Sequence, residues 1–395
     1  MVQDTKQDSR SKEHTAPDPE DPRKPDSPTE ISKPSWGYVV KRALSEFSKD
    51  DCTDLAASLT YFAVLSIFPG LLALVSLLGV FGQGEATTRA ITGWLSDYAP
   101  QEVTDLLAGP ISNLTSQTGA GLALLVGILG ALWTASGYVG AFGRAMNRIY
   151  EVEEGRPVWK LRPVNLLITL VLVIIVAVII AALVLSGGIA QAVGDLIGLG
   201  STAVTVWNIA KWPVVVALAV LLLAVLYYFT PNVEQPKFRW ISLGSLVALV
   251  VAALAVLGFT FYVSNFSSYN ATYGIIGSVI VLLLGLWIIN NVLLLGAEVD
   301  AETERGRQLQ GGIRAEEHIQ LPPRDTRQLD KQEEKTEKLV DQGRKLRLEH
   351  EHIDYSSDGS GSDGGSDRDG GARAGAGPSG IVRTGLDAAH PLRHP

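Results

Sequence analysis

The chain has 395 residues, of which 47% are hydrophobic and 19% are charged, and its formal net charge at pH 7 is −8. The charge is concentrated in residues 1–34 and 301–395, whereas residues 55–300 hold most of the apolar side chains. Apolar runs of about 20 residues recur in that central part, and this is the length that crosses a bilayer core. The composition therefore excludes a soluble globular protein and predicts an integral membrane protein built from helices.

The two ends of the chain differ from the apolar centre. Residues 1–34 are rich in proline and charge and contain no apolar run, which predicts a disordered tail without a cleavable signal peptide. Residues 306–395 form a charged, low-complexity tail, in which 325–352 are predicted to form a solvated helix. Cys52 is the only cysteine, so no intrachain disulfide can form.

Hydropathy predicts six membrane spans within residues 35–305. Their approximate bounds are 55–82, 119–143, 164–186, 210–230, 241–264 and 273–297. Lys and Arg are concentrated before the first span, between the second and third, between the fourth and fifth, and after the sixth. This bias places both termini in the cytoplasm. The predicted fold class is an all-α integral membrane protein, a six-helix transmembrane bundle with disordered N- and C-terminal tails.

Two short amphipathic segments are predicted to lie along the membrane surface. The first runs from Trp36 to Phe47 and combines an apolar face with adjacent basic residues. The second has Ile91, Trp94 and Tyr98 on one helical face, on the outer side of the membrane. The second segment could instead be a lid packed on the bundle, which would cover an outward opening.

Four stretches together resemble a known family. They are AASLTYFAVLSIFPGLLALVSLLG in the first span, LWTASGYVGAFGRAMNRIYEV after the second, YYFTPNVEQPKFRW between the fourth and fifth, and FYVSNFSSYNATYGIIGSVIVLLLGLWIINNVLLLGAEVDAE at the last. Their content and order resemble the YihY/BrkB family of bacterial membrane proteins, once labelled ribonuclease BN. The resemblance covers residues 35–305 and implies a six-helix inner-membrane protein, without implying a particular activity.

The first span carries polar residues that a plain anchor does not need. Asp54, Ser58 and Tyr61 are spaced at i, i+4 and i+7 and therefore share one helical face. A polar face is costly against lipid, so it is predicted to face the bundle or a water-filled cavity. Pro69 removes a helical hydrogen bond and predicts a kink. These four residues are cavity or gate candidates; alternatively, they only hydrogen-bond to neighbouring helices.

The last span ends in polar and acidic residues. Asn291 and Glu298 share a helical face, and Asp300 follows closely. A carboxylate at this depth requires a cation, and Arg144 or Arg148 is the predicted ion-pair partner of Glu298. Such an ion pair would fix the end of the bundle; alternatively, Asn291 and Glu298 are cavity or gate candidates, with Glu298 as a gate or a charged binding group.

The predicted outer loop SNFSSYNATYG is uncharged and rich in hydrogen-bonding groups. It could contact a sugar or a polar head group; alternatively, it is a tight turn with an aromatic belt. The candidate contact residues are Asn265, Tyr269, Asn270 and Tyr273.

The sequence predicts no catalytic residues, no metal site and no cofactor. All six histidines lie in the two tails, and the spans contain no His pair, acidic cluster or Gly-rich phosphate loop. The basic loop between the second and third spans could in principle bind RNA. Retention on the cytoplasmic side and contact with anionic lipid explain that loop, so no nucleic-acid partner is predicted.

The leading functional hypothesis is transport or flipping of a small or amphipathic envelope molecule through a partly polar interior. Membrane lipids are the predicted partners, and the oligomeric state is left open. The chain contains no ATP-binding motif, so active transport would require a gradient or a partner protein. A non-transporting scaffold for envelope proteins or lipids is the alternative. A membrane ribonuclease is the third hypothesis, and it is disfavoured because the spans lack clustered metal ligands.

Overall fold

The computed structural model describes residues 9, 11–25, 27, 30–80, 93, 120–184, 201–236, 242–265 and 268–357. Within these ranges only the backbone is described for residues 67–80, 120–128, 184, 201–203, 263–265, 268–276, 278 and 351–357. In the described parts the regular structure is helical, and one isolated bridge joins Val233 and Pro323. The main helices are α1 Lys33–Lys49, α2 Cys52–Val80, α3 Ala120–Ile149, α4 Val158–Val184, α5 Ser201–Phe229, α6 Leu243–Asn265, α7 Ser268–Gln310 and α8 Arg327–Ser357.

Four of these helices are long and apolar enough to cross a membrane within the described residues. They are Val158–Leu183, Val204–Phe229, Leu243–Tyr262 and Val279–Gln310, and Cys52–Ser66 is a shorter apolar helix. The structure therefore shows an all-helical protein with several candidate membrane spans. The count of six spans and the two interfacial helices remain predictions, and the second of these segments lies outside the described residues, apart from Gly93.

The local sequence explains how the chain enters the bundle. Ser32 caps α1, since its hydroxyl oxygen accepts a hydrogen bond from the Ser35 amide at 3.3 Å. Asp51 then adopts a positive φ of 52°, a left-handed conformation that ends a helix. The chain turns sharply there and begins α2 at Cys52.

Six long helices pack in a ring that follows chain order. α2 packs against α3, α3 against α4, α4 against α5, α5 against α6 and α6 against α7. α7 returns to pack against α2, which closes the ring, and α1 lies against α7 and α2. Each helix in the ring therefore has two main neighbours.

The ring is packed tightly at one end, which we call the charged end: the start of α2, the end of α3 and residues 290–310 of α7. Phe142, Met146 and Leu294 are fully buried there. Phe142 also stacks on Tyr227 of α5, with ring centroids 6.1 Å apart. Farther from this end, residues 249–262 of α6 and 279–289 of α7 contain no buried side chain. The fully buried side chains of these helices thus gather at the charged end, whereas these parts of α6 and α7 carry partly or fully exposed side chains.

Segments predicted as tails contribute to the charged end. The Lys24 ammonium is buried and donates to Glu304 Oε1 at 3.0 Å. Ala315, Ile319 and Leu321, which follow α7, are also buried. These contacts correct the expectation that the chain is a free tail before residue 35 and directly after 305. The reason is that these polar segments find charged and apolar partners at the helix ends, which their own composition does not show.

The chain divides into two compact units, residues 1–335 and 336–395. The second unit contains the later turns of α8, whose side chains are exposed from residue 336 to 350. A helix with exposed charges on every side agrees with the prediction of a solvated helix in this part of the chain.

Candidate functional site

Glu298 lies at the centre of the charged end. Its side chain has no exposed surface. The Cys52 thiol donates to Glu298 Oε1 at 3.4 Å, while Glu298 Oε2 has no hydrogen-bond partner among the described residues. A thiol is a weak donor, and a buried carboxylate with so little compensation is costly in its charged form. This residue is therefore the least compensated acid of the described bundle interior.

The predicted ion pair between Glu298 and an arginine is not formed. Arg148 lies against acids at the turn between α1 and α2, with its Nη2 2.7 Å from Asp51 Oδ2 and its Nε 3.8 Å from Asp50 Oδ1. Arg144 lies over the ring of Phe62, at 5.8 Å from the ring centroid. The sequence placed all of these groups at one depth but could not assign the partners, because acids closer to Arg148 compete for it.

Asp50 adds a titratable group next to this centre. Burial, together with the nearby negative charge of Glu46, raises the pKa of Asp50 to about 7, although Arg148 opposes the shift. The carboxyl of Asp50 therefore changes its charge near neutral pH.

A second group of charges is well compensated. The Arg305 guanidinium is fully buried and donates to Glu302 at 2.9 and 3.0 Å, to Glu151 Oε1 at 2.9 Å and to the Ala315 carbonyl at 2.9 Å. Burial raises the pKa of Glu151, but the charge of Arg305 outweighs it and leaves the pKa below its ordinary value. This network ties α7 to the end of α3 and to the chain after α7. Sequence reasoning missed it, although the Glu–Arg spacing of i, i+3 at the end of the last span was a usable signal.

Asp300 has a structural role at the start of α6. Its Oδ1 accepts a hydrogen bond from the Gly244 amide at 2.6 Å. A carboxylate that accepts from the first turn of a helix caps its orphan amides. Asp300 also lines a cavity of about 130 Å³ between α5 and α7, together with Tyr150, Glu304 and Arg307. Burial raises the pKa of Tyr150 well above its ordinary value.

A polar cluster links three helices directly beside this end. Asn290 Nδ2 donates to Thr60 Oγ1 at 3.1 Å, and the Tyr138 hydroxyl donates to Asn290 Oδ1 at 2.8 Å. Asn291, the residue chosen from the sequence, instead donates to the Trp287 carbonyl of its own helix at 2.8 Å. Adjacent residues on a helix point in different directions, so only the packing distinguishes the bundle-facing asparagine from its neighbour.

The predicted polar face of α2 points away from the helices that α2 contacts. Asp54 and Ser58 are exposed, and Tyr61 is 61% exposed. The face that packs on α3 and α7 carries buried residues instead: Cys52, Ala56, Leu59 and Thr60. The stripe therefore does not pack against the bundle, and its role in a water-filled cavity stays a prediction. Spacing shows that the three polar residues share a face, but small apolar residues on the opposite face allow closer helix packing.

For the remaining candidate residues, at Pro69 and in the predicted outer loop, only the backbone is described. The helical backbone of α2 continues through Pro69. Asn265 is the last residue of α6, and Tyr269, Asn270 and Tyr273 lie in the first turns of α7. The predicted outer loop is therefore largely helical, because α7 begins at Ser268, earlier than hydropathy indicates. The proposed contacts of this region stay predictions.

The buried and exposed hydroxyls of α2 allow a direct test. Thr60→Val is expected to lower the free energy of unfolding by about 1–3 kcal/mol, since it removes the acceptor of the buried Asn290 amide. Ser58→Ala, on the exposed face, should change stability by less than about 0.5 kcal/mol. Thermal melting of the purified variants in one detergent checks both. Equal destabilisation by the two would contradict the assigned faces.

No cluster of three or more His, Cys, Asp or Glu side chains in the described part of the chain is placed to hold a metal ion. The described geometry thus offers no ligand set for metal-dependent hydrolysis. The fold and this end of the bundle thus define an all-helical membrane protein in which a set of buried charged groups meets at one end of a helix ring.

Comparisons with known proteins agree with this class. The family described as Virulence factor BrkB matches residues 43–319. The chain therefore belongs to the BrkB family, and the resemblance predicted from its sequence motifs is confirmed.

Individual relatives are distant but match over long stretches. The ribonuclease-like protein YfkH of Bacillus subtilis is 28% identical over 270 residues, which cover 68% of this chain and 96% of YfkH. A UPF0761 membrane protein of Ralstonia nicotianae is 29% identical over 67% of this chain and 60% of its own length. One of a Psychrobacter species is 30% identical over 67% of this chain, but the match covers only 48% of that relative. No solved structure matches the chain.

Proposed function

We propose that this protein transports or flips a small or amphipathic envelope molecule across the bacterial cytoplasmic membrane, with both termini in the cytoplasm. The charged end would be the cytoplasmic gate of the path. The observation that carries this proposal is the uneven burial in the helix ring: side chains around Glu298 are fully buried, whereas those of residues 249–262 and 279–289 are partly or fully exposed. A helix ring that is closed at one end suits alternating access to an interior path.

Glu298 is the proposed sensor of this gate. In the closed arrangement its carboxyl is removed from water and is hydrogen-bonded only to the Cys52 thiol within the described residues. Binding of a proton would stabilise this arrangement, whereas ionisation would favour an open, hydrated one. A proton gradient could then supply the energy that the missing ATP-binding motif does not.

Glu298→Gln is expected to hold the gate closed, because glutamine keeps an acceptor for the Cys52 thiol and carries no charge. Cys52 is the only cysteine and is buried, so its labelling by a maleimide in membrane vesicles reports opening. We expect labelling of the glutamine variant to be slower by about tenfold, the effect of about 1.4 kcal/mol on the opening equilibrium. Complementation of a deletion strain should fail at normal protein levels.

Asp300→Asn is the matched control, because Asp300 lies on the same helix and caps α6 rather than facing Cys52. It should complement better than Glu298→Gln at equal protein levels. Equal loss from both variants, or unchanged Cys52 labelling in Glu298→Gln, would contradict a gate at Glu298. Cys52 that resists labelling in every variant and at every pH would favour the non-transporting scaffold instead.

A further inference from the structure

Two exposed arginines, one on α3 and one on the neighbouring helix α4, have unusual surroundings. Arg144 of α3 and Arg162 of α4 are both exposed, and neither has a carboxylate partner in the described part of the chain. Each guanidinium instead lies over an aromatic ring, Arg144 at 5.8 Å from the centroid of Phe62 and Arg162 at 5.4 Å from that of Trp133. Such contacts hold a guanidinium in place without neutralising its charge.

The side-chain amide of Asn165 lies close to Arg144, with Gly140 of α3 between them; we call this arrangement the cradle. A Cβ atom at Gly140 would lie 3.2 Å from Asn165 Nδ2 and 3.8 Å from Arg144 Nη1. Asn165 is only 6% exposed, and its side-chain amide makes no hydrogen bond within the described residues. An amide donor without a protein partner is available to a bound acceptor, and here it lies beside an uncompensated positive charge. Because Gly140 has no side chain, the space between Asn165 Nδ2 and Arg144 Nη1 stays open.

The position of this cradle matches the boundary of a membrane. Towards the charged end, Arg144 borders an open cavity of about 330 Å³ that is also lined by Asn147, Arg148, Glu153 and Glu154. In the other direction the same side of α3 continues to the exposed Trp133. The cradle therefore lies between a polar, charged region and an apolar surface.

The adjoining surface of α4 is apolar. Leu166, Leu170 and Val173 follow Arg162 at helical spacing and so extend from the guanidinium along one side of the helix. Leu170 and Val173 are exposed, at 43% and 36%. The surface formed by the cradle and this side of α4 thus has a positively charged, donor-rich end and an apolar wall.

We infer that this surface of α3 and α4 binds one anionic phospholipid, with its phosphate at Arg144 and Asn165, the cation of Arg162 one turn before Asn165 on α4, and an acyl chain along the apolar wall of α4. A phosphate supplies the acceptors that the two guanidinium groups and the amide lack. The acyl chain covers apolar surface that no described residue covers. This inference is independent of the transport proposal, because the cradle lies on the surface of α3 that faces away from the core, and not at Glu298.

The test compares lipid adducts of the full-length protein by native mass spectrometry during titration with phosphatidylglycerol or phosphatidylcholine. We expect the wild type to retain one phosphatidylglycerol in preference to phosphatidylcholine. The double variant Arg144→Gln, Arg162→Gln should lose roughly 30-fold of this preference, since each basic residue near an anionic head group contributes roughly fivefold. The control, Arg314→Gln with Arg344→Gln, removes two exposed cations elsewhere and should retain the preference.

Gly140→Ala tests the same cradle without removing a charge. Its methyl group would meet Asn165 Nδ2 at 3.2 Å, and we expect weaker binding of phosphatidylglycerol at unchanged protein stability. Inorganic phosphate at millimolar concentration should not displace the lipid, because it lacks the acyl chain. Equal retention of the two lipids by the wild type, or an unchanged preference in both the double variant and Gly140→Ala, would overturn the inference.

Discussion

Arg305→Met is expected to lower the free energy of unfolding by about 3–5 kcal/mol, the usual effect of removing one partner from a buried ionic network. The Arg305 side chain is 1% exposed, and its loss would leave Glu302 and Glu151 without their shared cation. The chain after α7 would also lose a contact, because Arg305 donates to the Ala315 carbonyl. Thermal and denaturant melting in detergent, with size-exclusion profiles, would measure the loss.

An exposed pair of the same kind is the control. Arg344 and Asp341 on α8 are also separated by three residues and lie 2.7 Å apart, but both side chains are about 60% exposed. Arg344→Met should change stability little, because solvent screens such a pair. Adding Glu302→Gln to Arg305→Met should recover part of the loss. Equal effects of the two arginine substitutions would contradict the network.

The pH dependence of this network follows from Glu151. Its pKa lies below the ordinary glutamate value of 4.5, since Arg305 outweighs the effect of burial. The stabilisation from this acid is therefore present at neutral pH and is lost as the pH falls through the lowered pKa. In Arg305→Met burial is no longer outweighed, so lowering the pH should stop destabilising the fold through this acid and should instead favour the folded state, which a series of melting curves at decreasing pH would show.

Gly244→Ala is the second substitution with a large expected effect, a loss of about 1–3 kcal/mol or more through overpacking. The helices α6 and α7 meet so closely here that an added Cβ would collide with the carbonyl oxygen of Gly296 and approach the Asp300 carboxyl to 2.6 Å. Backbone cannot move aside as a flexible side chain can. The substitution would therefore separate the two helices and disturb the cap that Asp300 provides to α6.

Gly258 on the same helix gives the opposite expectation. A Cβ there meets nothing within 4 Å, so Gly258→Ala should be neutral or stabilise by up to about 1 kcal/mol through helix propensity. Melting temperatures of both variants, measured in the same detergent, provide the comparison. A loss of stability in Gly258→Ala as large as in Gly244→Ala would show that close approach of α6 and α7 is not the cause.

Much of the candidate site was visible in the sequence as a set of residue types but not as a set of contacts. Glu298 was recognised because a carboxylate at the end of an apolar run is unusual. Its contact with Cys52 was not predicted, since a lone cysteine beside a span gives no directional signal. The arginines were recognised as a row at the end of α3, yet Arg148 pairs with Asp50 and Asp51.

The sequence by itself determined the class of protein, the family and the concentration of charge around the helix ends. These properties depend on local composition, on the length of apolar runs and on motif order, all of which can be read along the chain. Only the tertiary structure decided which face of α2 is buried, which asparagine meets Thr60 and which cation meets each acid. Those outcomes depend on distances between residues far apart in the chain, such as Cys52 and Glu298, and neither spacing nor hydropathy carries that information.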